Sequence, residues 1–227
     1  MLGIIGKKLG MTQIFNAQGQ QIPCTVVEAR PNPVVQVIGH EFDKPGFAAL
    51  QLGYGTSRTA REPKKGEKKL PKGHRANTAS LGHAKKAGLG AAPRMLRSFR
   101  IDDMPTAPEY KAGDTIDISI FAVGEYVKVT GTTKGGGFQG VVKRYGIGGG
   151  PNTHGNTKHR RPGSIGAGTD PSRVIKGKKM PGQHGNVRHT QINLRIEKVD
   201  TERNLLYIRG SVSGATNGIV MVRKQEQ

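Results

Sequence analysis

The chain has no tryptophan, one cysteine and few aromatic residues, which are 5% of its 227 residues. The single cysteine, Cys24, excludes an internal disulfide and is in keeping with a reducing cytosol. Its neighbours, Ile22 to Val27, are typical of a strand, so we interpret Cys24 as a small core residue and not as a nucleophile. No apolar run approaches the roughly 18 residues that a membrane-spanning helix needs. The first eight residues have the wrong order and length for a signal peptide.

Acidic residues are also scarce, with 16 Asp and Glu against 36 Lys and Arg, a formal charge of +20 and a pI near 10.4. Such an imbalance indicates a polyanionic partner, either nucleic acid or an anionic membrane surface. A protein of the membrane surface would carry a basic amphipathic helix with Trp, Phe or Leu on its apolar face. The basic segments here are too rich in Gly and Pro for long helices. We therefore expect nucleic acid as the partner, and no membrane.

Acidic side chains are rarest between Tyr126 and Thr190, where Asp170 stands alone among a dozen Lys and Arg residues. Glycines interrupt this stretch throughout, as in Gly135-Gly136-Gly137. A segment of this composition cannot bury enough apolar surface to fold alone, and its own charge pushes it open. We expect a polyanion to neutralise and order it. The sequence thus predicts an extended basic arm at 131–190 and a second basic excursion at 58–93 that contains a short helix around Leu81 to Gly88.

The remaining segments have the alternating, β-branched pattern of strands separated by turn-forming residues. They predict a mainly β protein with a closed antiparallel β-barrel body built from 1–57, 94–130 and 191–227, and a long irregular basic extension. The predicted strands are Met11 to Phe15, Ile22 to Ala29, Val34 to Ile38, Ala48 to Tyr54, Met95 to Ile101, Asp114 to Phe121, Tyr126 to Thr130, Gln191 to Val199, Leu205 to Val212 and Ile219 to Val222.

Enzymatic and metal sites have little support. The run Gly135 to Gly140 matches G-x-G-x-x-G, but a dinucleotide fold needs a long helix next and an acid about twenty positions on, and neither is present. His154 and His159, like His184 and His189, have a spacing that a metal site could use, but cations surround them and no Cys or carboxylate supports them. We expect histidines that stack on bases or bond phosphates, with no metal, no cofactor, no small-molecule substrate and no catalysis.

The choice between RNA and DNA depends on two short segments, His159 to Gly166 and Lys176 to Gln183. Both set guanidinium or ammonium groups beside Gly and Pro turns on a non-helical backbone. A DNA reader would normally present a helix or ribbon. We interpret the arm as following an irregularly folded RNA, and a nucleoid-type DNA-binding protein is the alternative.

The candidate RNA-binding residues are the cations, histidines and one tyrosine of the arm, together with a few cations of the body. They are Lys7, Lys8, Lys128, Lys134, Lys143, Arg144, Tyr145, His154, Lys158, His159, Arg160, Arg161, Arg173, Lys176, Lys178, Lys179, His184, Arg188 and His189.

Several segments, taken together, resemble one protein family. They are Gly3 to Thr12, Thr130 to Arg144, Thr153 to Asn156, Arg161 to Gly166 and Gly177 to Gly182. In this order they are similar to large-subunit ribosomal protein three of the bacterial type, and the similarity covers nearly the whole chain.

That resemblance implies a barrel of the type shared with translation-factor domains. It also implies a cytoplasmic ribosomal role: direct binding to large-subunit rRNA early in subunit assembly, and an arm that reaches toward the peptidyl transferase centre. Neighbouring proteins fourteen and nineteen are the implied protein partners. The arm's tip would be near 145–153. Tyr145 stands where the family usually has an aromatic residue, often Trp. Gly150 stands where some members carry a methylated glutamine, so we expect no modification there.

Overall fold

The structure is a computed structural model that describes residues 2–39, 48–57, 76–101 and 110–225. The rest of the predicted body, and residues 58–75 of the predicted basic excursion, lie outside these described residues. The chain divides into two compact units, one formed by 1–132 with 189–227 and the other by 133–188. The strands are β1 (Gly3–Phe15), β2 (Gln21–Glu28), β3 (Asn32–Ile38), β4 (Ala49–Thr56), β5 (Pro93–Arg100), β6 (Thr115–Ile116), β7 (Tyr126–Thr132), β8 (Gly137–Gln139), β9 (Gly182–His184), β10 (Arg188–Asp200), β11 (Leu205–Arg209) and β12 (Ile219–Lys224). The predicted mainly β class is confirmed.

Six strands follow one another in the hydrogen-bonded order β1-β12-β7-β10-β11-β2, and β2 pairs back with β1. The first strand is therefore shared: its first half pairs with β12, with Ile5 opposite Met221, and its second half with β2, with Met11 opposite Thr25. The alternating apolar residues of these strands point to one side, where Ile4, Val129 and Ile208 are buried. Burial of one face in this way fixes the register, because a slip of one residue would turn the apolar set outward.

The predicted body also contains a second sheet, in the order β5-β4-β3-β6. Its strands β3 and β4 are antiparallel, with Val37 opposite Leu50, and Leu50 in turn lies opposite Phe99 of β5. Leu50 and Phe99 are fully buried and belong to the same hydrophobic cluster as Ile4 and Ile208 of the six-stranded sheet. The two sheets thus share a single core.

One predicted strand is wrong. The alternation of Ile116, Ile118 and Ile120 predicted a strand over Asp114 to Phe121, but only Thr115–Ile116 pairs as a strand, and Ile118–Ile120 is a turn of 3-10 helix. Ile116 and Ile118 are nevertheless buried, as the alternation required. The 3-10 turn keeps Ile118 on the core side although it is not part of a strand, so the pattern predicted burial correctly but not the backbone conformation.

A buried asparagine replaces strand pairing where β1 and β2 separate. Asn32 is fully buried, and its side-chain oxygen accepts a hydrogen bond from the Ile5 amide at 2.9 Å. Its side-chain nitrogen donates to the Ile5 carbonyl at 3.1 Å and to the Arg30 carbonyl at 2.6 Å. Buried backbone groups without a partner are costly, so this one side chain stabilises the edge of β1 at Ile5.

The predicted short helix at Leu81 to Gly88 is present as α1 (Thr78–Lys86), which begins three residues earlier. Asn77 caps it, because its side-chain oxygen accepts a hydrogen bond from the Ser80 amide at 2.7 Å. Inward-facing Ala84 packs with Ala76 and Ala92 in a small separate cluster. None of the helices in the described ranges is long and apolar enough to cross a membrane.

The second unit, residues 133–188, has little regular structure. Strands β8 and β9 pair antiparallel, with Phe138 opposite Gln183, and α2 (Val141–Tyr145) is a helix of five residues. Among the described residues of this unit, Val141 is the only hydrophobic residue that is buried. A unit with so little buried apolar surface has little hydrophobic stabilisation of its own.

Candidate nucleic-acid interface

The cations of the second unit are almost all exposed to solvent, and Asp170 is the only acidic residue between 133 and 188. Arg144 is the half-buried exception. The exposed cations are Lys134, Lys143, Lys158, Arg160, Arg161, Arg173, Lys176, Lys178, Lys179 and Arg188. Exposed cations that are not balanced by acidic residues create a positive surface to which a polyanion can bind.

Backbone hydrogen bonds hold the two ends of this unit together. The Thr133 amide donates to the Val187 carbonyl at 2.9 Å, and the Val187 amide donates to the Thr133 hydroxyl at 3.2 Å. Further along, the Gly136 amide donates to the carbonyl of His184 at 2.7 Å. Residues 133–136 and 184–187 therefore run side by side, and we call these two segments the stem. His184 belongs to this stem, with its side chain exposed.

Arg144 connects α2 to the returning chain. Its guanidinium donates to the Met180 carbonyl at 2.7 Å and lies 4.9 Å from the centroid of the Tyr145 ring. The ammonium of Lys179 is 5.7 Å from the same ring centroid. Stacking of cations on an aromatic ring is favourable and fixes their positions. Arg144 thus has a structural role in addition to its charge, which the sequence did not reveal.

The loop that follows α2 is folded by its own hydrogen bonds. The Gly150 amide donates to the His159 carbonyl at 3.0 Å, and the Asn156 side-chain amide donates to the Pro151 carbonyl at 2.7 Å. The Nδ1 atom of His159 lies 3.1 Å from the same carbonyl of Pro151, and it donates there in the tautomer that carries hydrogen on Nδ1. This network defines a closed turn, which we call the tip loop (residues 146–160).

Two glycines allow the tip loop to close. A Cβ atom on Gly149 would overlap the carbonyl oxygen of His159. One on Gly150 would overlap the Asn156 side-chain nitrogen and lie 2.9 Å from the Lys158 carbonyl oxygen. Gly148, by contrast, has no atom within 4 Å of its would-be Cβ. Gly149 and Gly150 are therefore required by close packing of the backbone, while Gly148 is not.

The four candidate residues outside the second unit are less exposed or already bonded. Lys8 donates from Nζ to the carbonyls of Val212 at 2.7 Å and Gly214 at 3.2 Å, so it stabilises the fold. Lys7 and Lys128 are half-buried on β1 and β7. The Nδ1 atom of His189 lies 2.9 Å from the Ser213 hydroxyl.

Histidines and acids do not assemble into a metal site in the part of the chain that the structure describes. Burial raises the pKa of the Cys24 thiol, the Glu197 carboxylate raises it further and the Arg209 guanidinium opposes the shift. Cys24 is fully buried and protonated at neutral pH, which confirms its interpretation as a core residue.

Two groups of exposed residues were not predicted from the sequence. Phe138 on β8 is 77% exposed, beside the cationic stem, where its ring is free to stack on a base. An aromatic residue between glycines in a basic segment was the signal for it, because such a segment has no core to receive a ring. Arg94, Arg97 and Arg100 lie exposed along β5, an edge strand of the second sheet.

Comparison with known proteins gives a consistent result. The family model described as Ribosomal protein L3 matches residues 107–204. The large ribosomal subunit protein uL3 of Geobacter metallireducens is 48% identical, over 97% of this chain and 96% of its own length. Those of Geotalea daltonii and Herpetosiphon aurantiacus are each 44% identical, over 97% and 98% of this chain and 95% of their own lengths. With identity this high over nearly the full length of both partners, the chain belongs to the uL3 family of large ribosomal subunit proteins.

Proposed function

We propose that this protein is a structural constituent of the large ribosomal subunit that binds the subunit's rRNA directly through its second unit. From here on, the word arm means this unit, residues 133–188, and no longer the predicted range 131–190. The exposed cations of the arm, opposed by Asp170 alone, carry this proposal. Membership of the uL3 family indicates the large ribosomal subunit as the particle to which the protein belongs. It also supports the expectation that the protein is not an enzyme and acts in the cytoplasm, on the ribosome.

Close-packed RNA helices repel one another through their phosphates, and they condense counterions in compensation. Lys and Arg side chains that replace these counterions release them to solvent, which favours binding and makes it salt-dependent. The arm meets this need, because its cations are fixed on tight Gly and Pro turns and not on a regular helix. Such an arm reads the shape and phosphate positions of a folded RNA.

The finer features of the family resemblance are part of this proposal. The six-stranded sheet, whose last neighbour β2 pairs again with β1, is proposed to be a closed β-barrel of the translation-protein type. The arm is proposed to reach toward the peptidyl transferase centre, with the tip loop at its end. The protein is proposed to bind early in subunit assembly, next to proteins fourteen and nineteen. The motifs Gly3 to Thr12 and Thr130 to Arg144 support these statements.

A salt series tests direct rRNA binding. The variant Arg160→Ala/Arg161→Ala removes two exposed cations, so the slope of log affinity against log salt should fall by about 1.5, since each phosphate contact contributes about 0.7 to 0.9. Filter binding of purified protein to large-subunit rRNA measures this slope. The matched control Lys111→Ala/Arg203→Ala removes two exposed cations of the first unit and should keep a slope near that of the unchanged chain.

Equal slopes for both double variants would contradict the assignment of binding to the arm. A flat salt response of the unchanged chain would contradict direct phosphate contact altogether. Equal affinity for duplex DNA and rRNA would instead favour a nucleoid-type DNA-binding protein, and so would sedimentation with the chromosome and not with the large subunit.

The tip loop gives a second prediction. Gly149→Ala should weaken rRNA binding about tenfold, because its Cβ collides with the His159 carbonyl and the loop must open at a cost of about 1 to 3 kcal/mol. Gly148→Ala adds the same methyl group in open space and should bind like the unchanged chain. If both variants bind alike, the closed tip loop is not part of the RNA-binding conformation.

A further inference from the structure

A concave surface is formed by the segment 163–178 of the arm. Its volume is about 360 Å³. A second concavity of about 490 Å³ overlaps it and shares Ser164, Ile165, Gly166 and Arg173. Small-molecule sites in proteins typically have volumes of about 300 to 1,000 Å³. The first concavity, called the arm pocket from here on, is lined chiefly by Ile165, Ala167, Pro171, Arg173, Ile175 and Lys178.

The wall of the arm pocket is apolar although the arm is strongly cationic. Ile175 is 65% exposed and Ile165 is 43% exposed. Neither side chain belongs to the hydrophobic clusters of the described residues. Exposing such surface to water costs roughly 25 cal/mol per Å² relative to burying it, so an apolar body placed against these isoleucines would gain free energy.

Both charged residues that line the arm pocket are cations. Arg173 and Lys178 line it, and both are exposed. Asp170, the arm's only acid, is not among the lining residues. A ligand that combines a flat apolar body with an anionic group at one end is complementary to this arrangement, whereas a cation or a purely apolar ligand is not.

We propose that the arm pocket takes one unstacked nucleotide of the large-subunit rRNA, and this inference rests on the proposed function. The base lies against Ile165 and Ile175, and its phosphate is bound by Arg173 and Lys178. Folded RNAs present unstacked bases in loops and bulges, and proteins recognise such bases by packing side chains against the base face. The pocket then anchors the segment 163–178 at a single nucleotide, while the other cations of the arm follow the RNA backbone.

The first test separates apolar from ionic binding. Ile165→Ala/Ile175→Ala should weaken binding to purified large-subunit rRNA about tenfold by removing apolar contact, with the salt slope unchanged because no charge is lost. Arg173→Ala/Lys178→Ala should weaken binding and also lower the slope by about 1.5. The matched control Val123→Ala/Ile192→Ala truncates two aliphatic side chains of similar exposure in the first unit, and should bind within twofold of the unchanged chain. Circular dichroism verifies that each variant is folded.

The second test locates the nucleotide. Base methylation and 2′-hydroxyl acylation of the rRNA should reveal one unpaired nucleotide that becomes protected when the unchanged chain binds. That protection should disappear with Ile165→Ala/Ile175→Ala and persist with Arg160→Ala/Arg161→Ala.

The outcomes distinguish this inference from the proposed function. No binding of the unchanged chain to rRNA would overturn both. Normal rRNA binding by the unchanged chain, together with the same affinity and the same protections for Ile165→Ala/Ile175→Ala, would overturn the arm pocket alone. If Ile165→Ala/Ile175→Ala binds rRNA normally but large subunits reconstituted with it lack one other protein, the pocket binds a protein partner. That result would also overturn the proposal of a nucleotide site.

Discussion

Replacing residues 134–186 by a two-residue Asn-Gly turn is expected to lower the affinity for large-subunit rRNA by at least about a thousandfold near physiological salt, since most phosphate contacts are lost. The remaining chain should stay folded. Thr133 and Val187 are already hydrogen-bonded to each other, and Asn-Gly is the preferred two-residue connection between antiparallel strands. Competition filter binding measures the affinity, and circular dichroism with thermal unfolding reports on the fold.

Two results would contradict this expectation. If the shortened chain is unfolded, the first unit depends on the arm and the division between the two units is wrong. If the shortened chain is folded and still binds rRNA with nearly the original affinity, the binding surface lies on the first unit, where the β5 arginines Arg94, Arg97 and Arg100 would be the first candidates.

Asn32→Ala is expected to lower the free energy of unfolding by about 2 to 4 kcal/mol, because each buried polar group left without a partner costs about 1 to 3 kcal/mol. The substitution leaves both the amide and the carbonyl of Ile5 unpaired in the buried core. Asn32→Asp should also destabilise, since the carboxylate can still accept from the Ile5 amide but faces two carbonyl oxygens where the amide nitrogen donated.

Urea unfolding followed by circular dichroism measures this effect. Asn77→Ala is a graded control, because it removes an exposed helix cap of α1 and should cost about 1 kcal/mol. An equal loss for Asn32→Ala and Asn77→Ala would mean that water replaces the Asn32 side chain at Ile5. The account of how β1 is held where it leaves β2 would then be wrong.

The strands were predictable where alternation and turn chemistry act locally. The hairpin of β10 and β11 is one example: the turn at 200–204 and the apolar residues on either side specified it. Its second strand ends at Arg209 and not at Val212, because Gly210 adopts a positive φ of 86°. The order of strands in the two sheets was not predictable, since it depends on pairings between residues far apart in the chain. Asn32 stands between two prolines just before the predicted strand Val34 to Ile38, and nothing in the sequence indicated its contact with Ile5.

Charge made the arm visible in the sequence, since a run of cations with one acid needs no tertiary information to be recognised. The roles of individual cations were not visible. Lys8 and Arg144 donate to carbonyls, and these contacts depend on backbone positions that the sequence does not reveal. The arm pocket was missed for the same reason, because nothing in the sequence shows that Ile165 and Ile175 line one concave surface and stay exposed.

The most direct test of the central claim is ultraviolet cross-linking of the full chain bound to large-subunit rRNA, with the cross-linked peptides identified by mass spectrometry. We predict that most cross-links fall within residues 133–188, with Phe138 and Tyr145 prominent because both rings are exposed and the Tyr145 ring lies beside the Arg144 guanidinium. Cross-links confined to residues 2–132 and 189–225, with the arm unmodified, would contradict it.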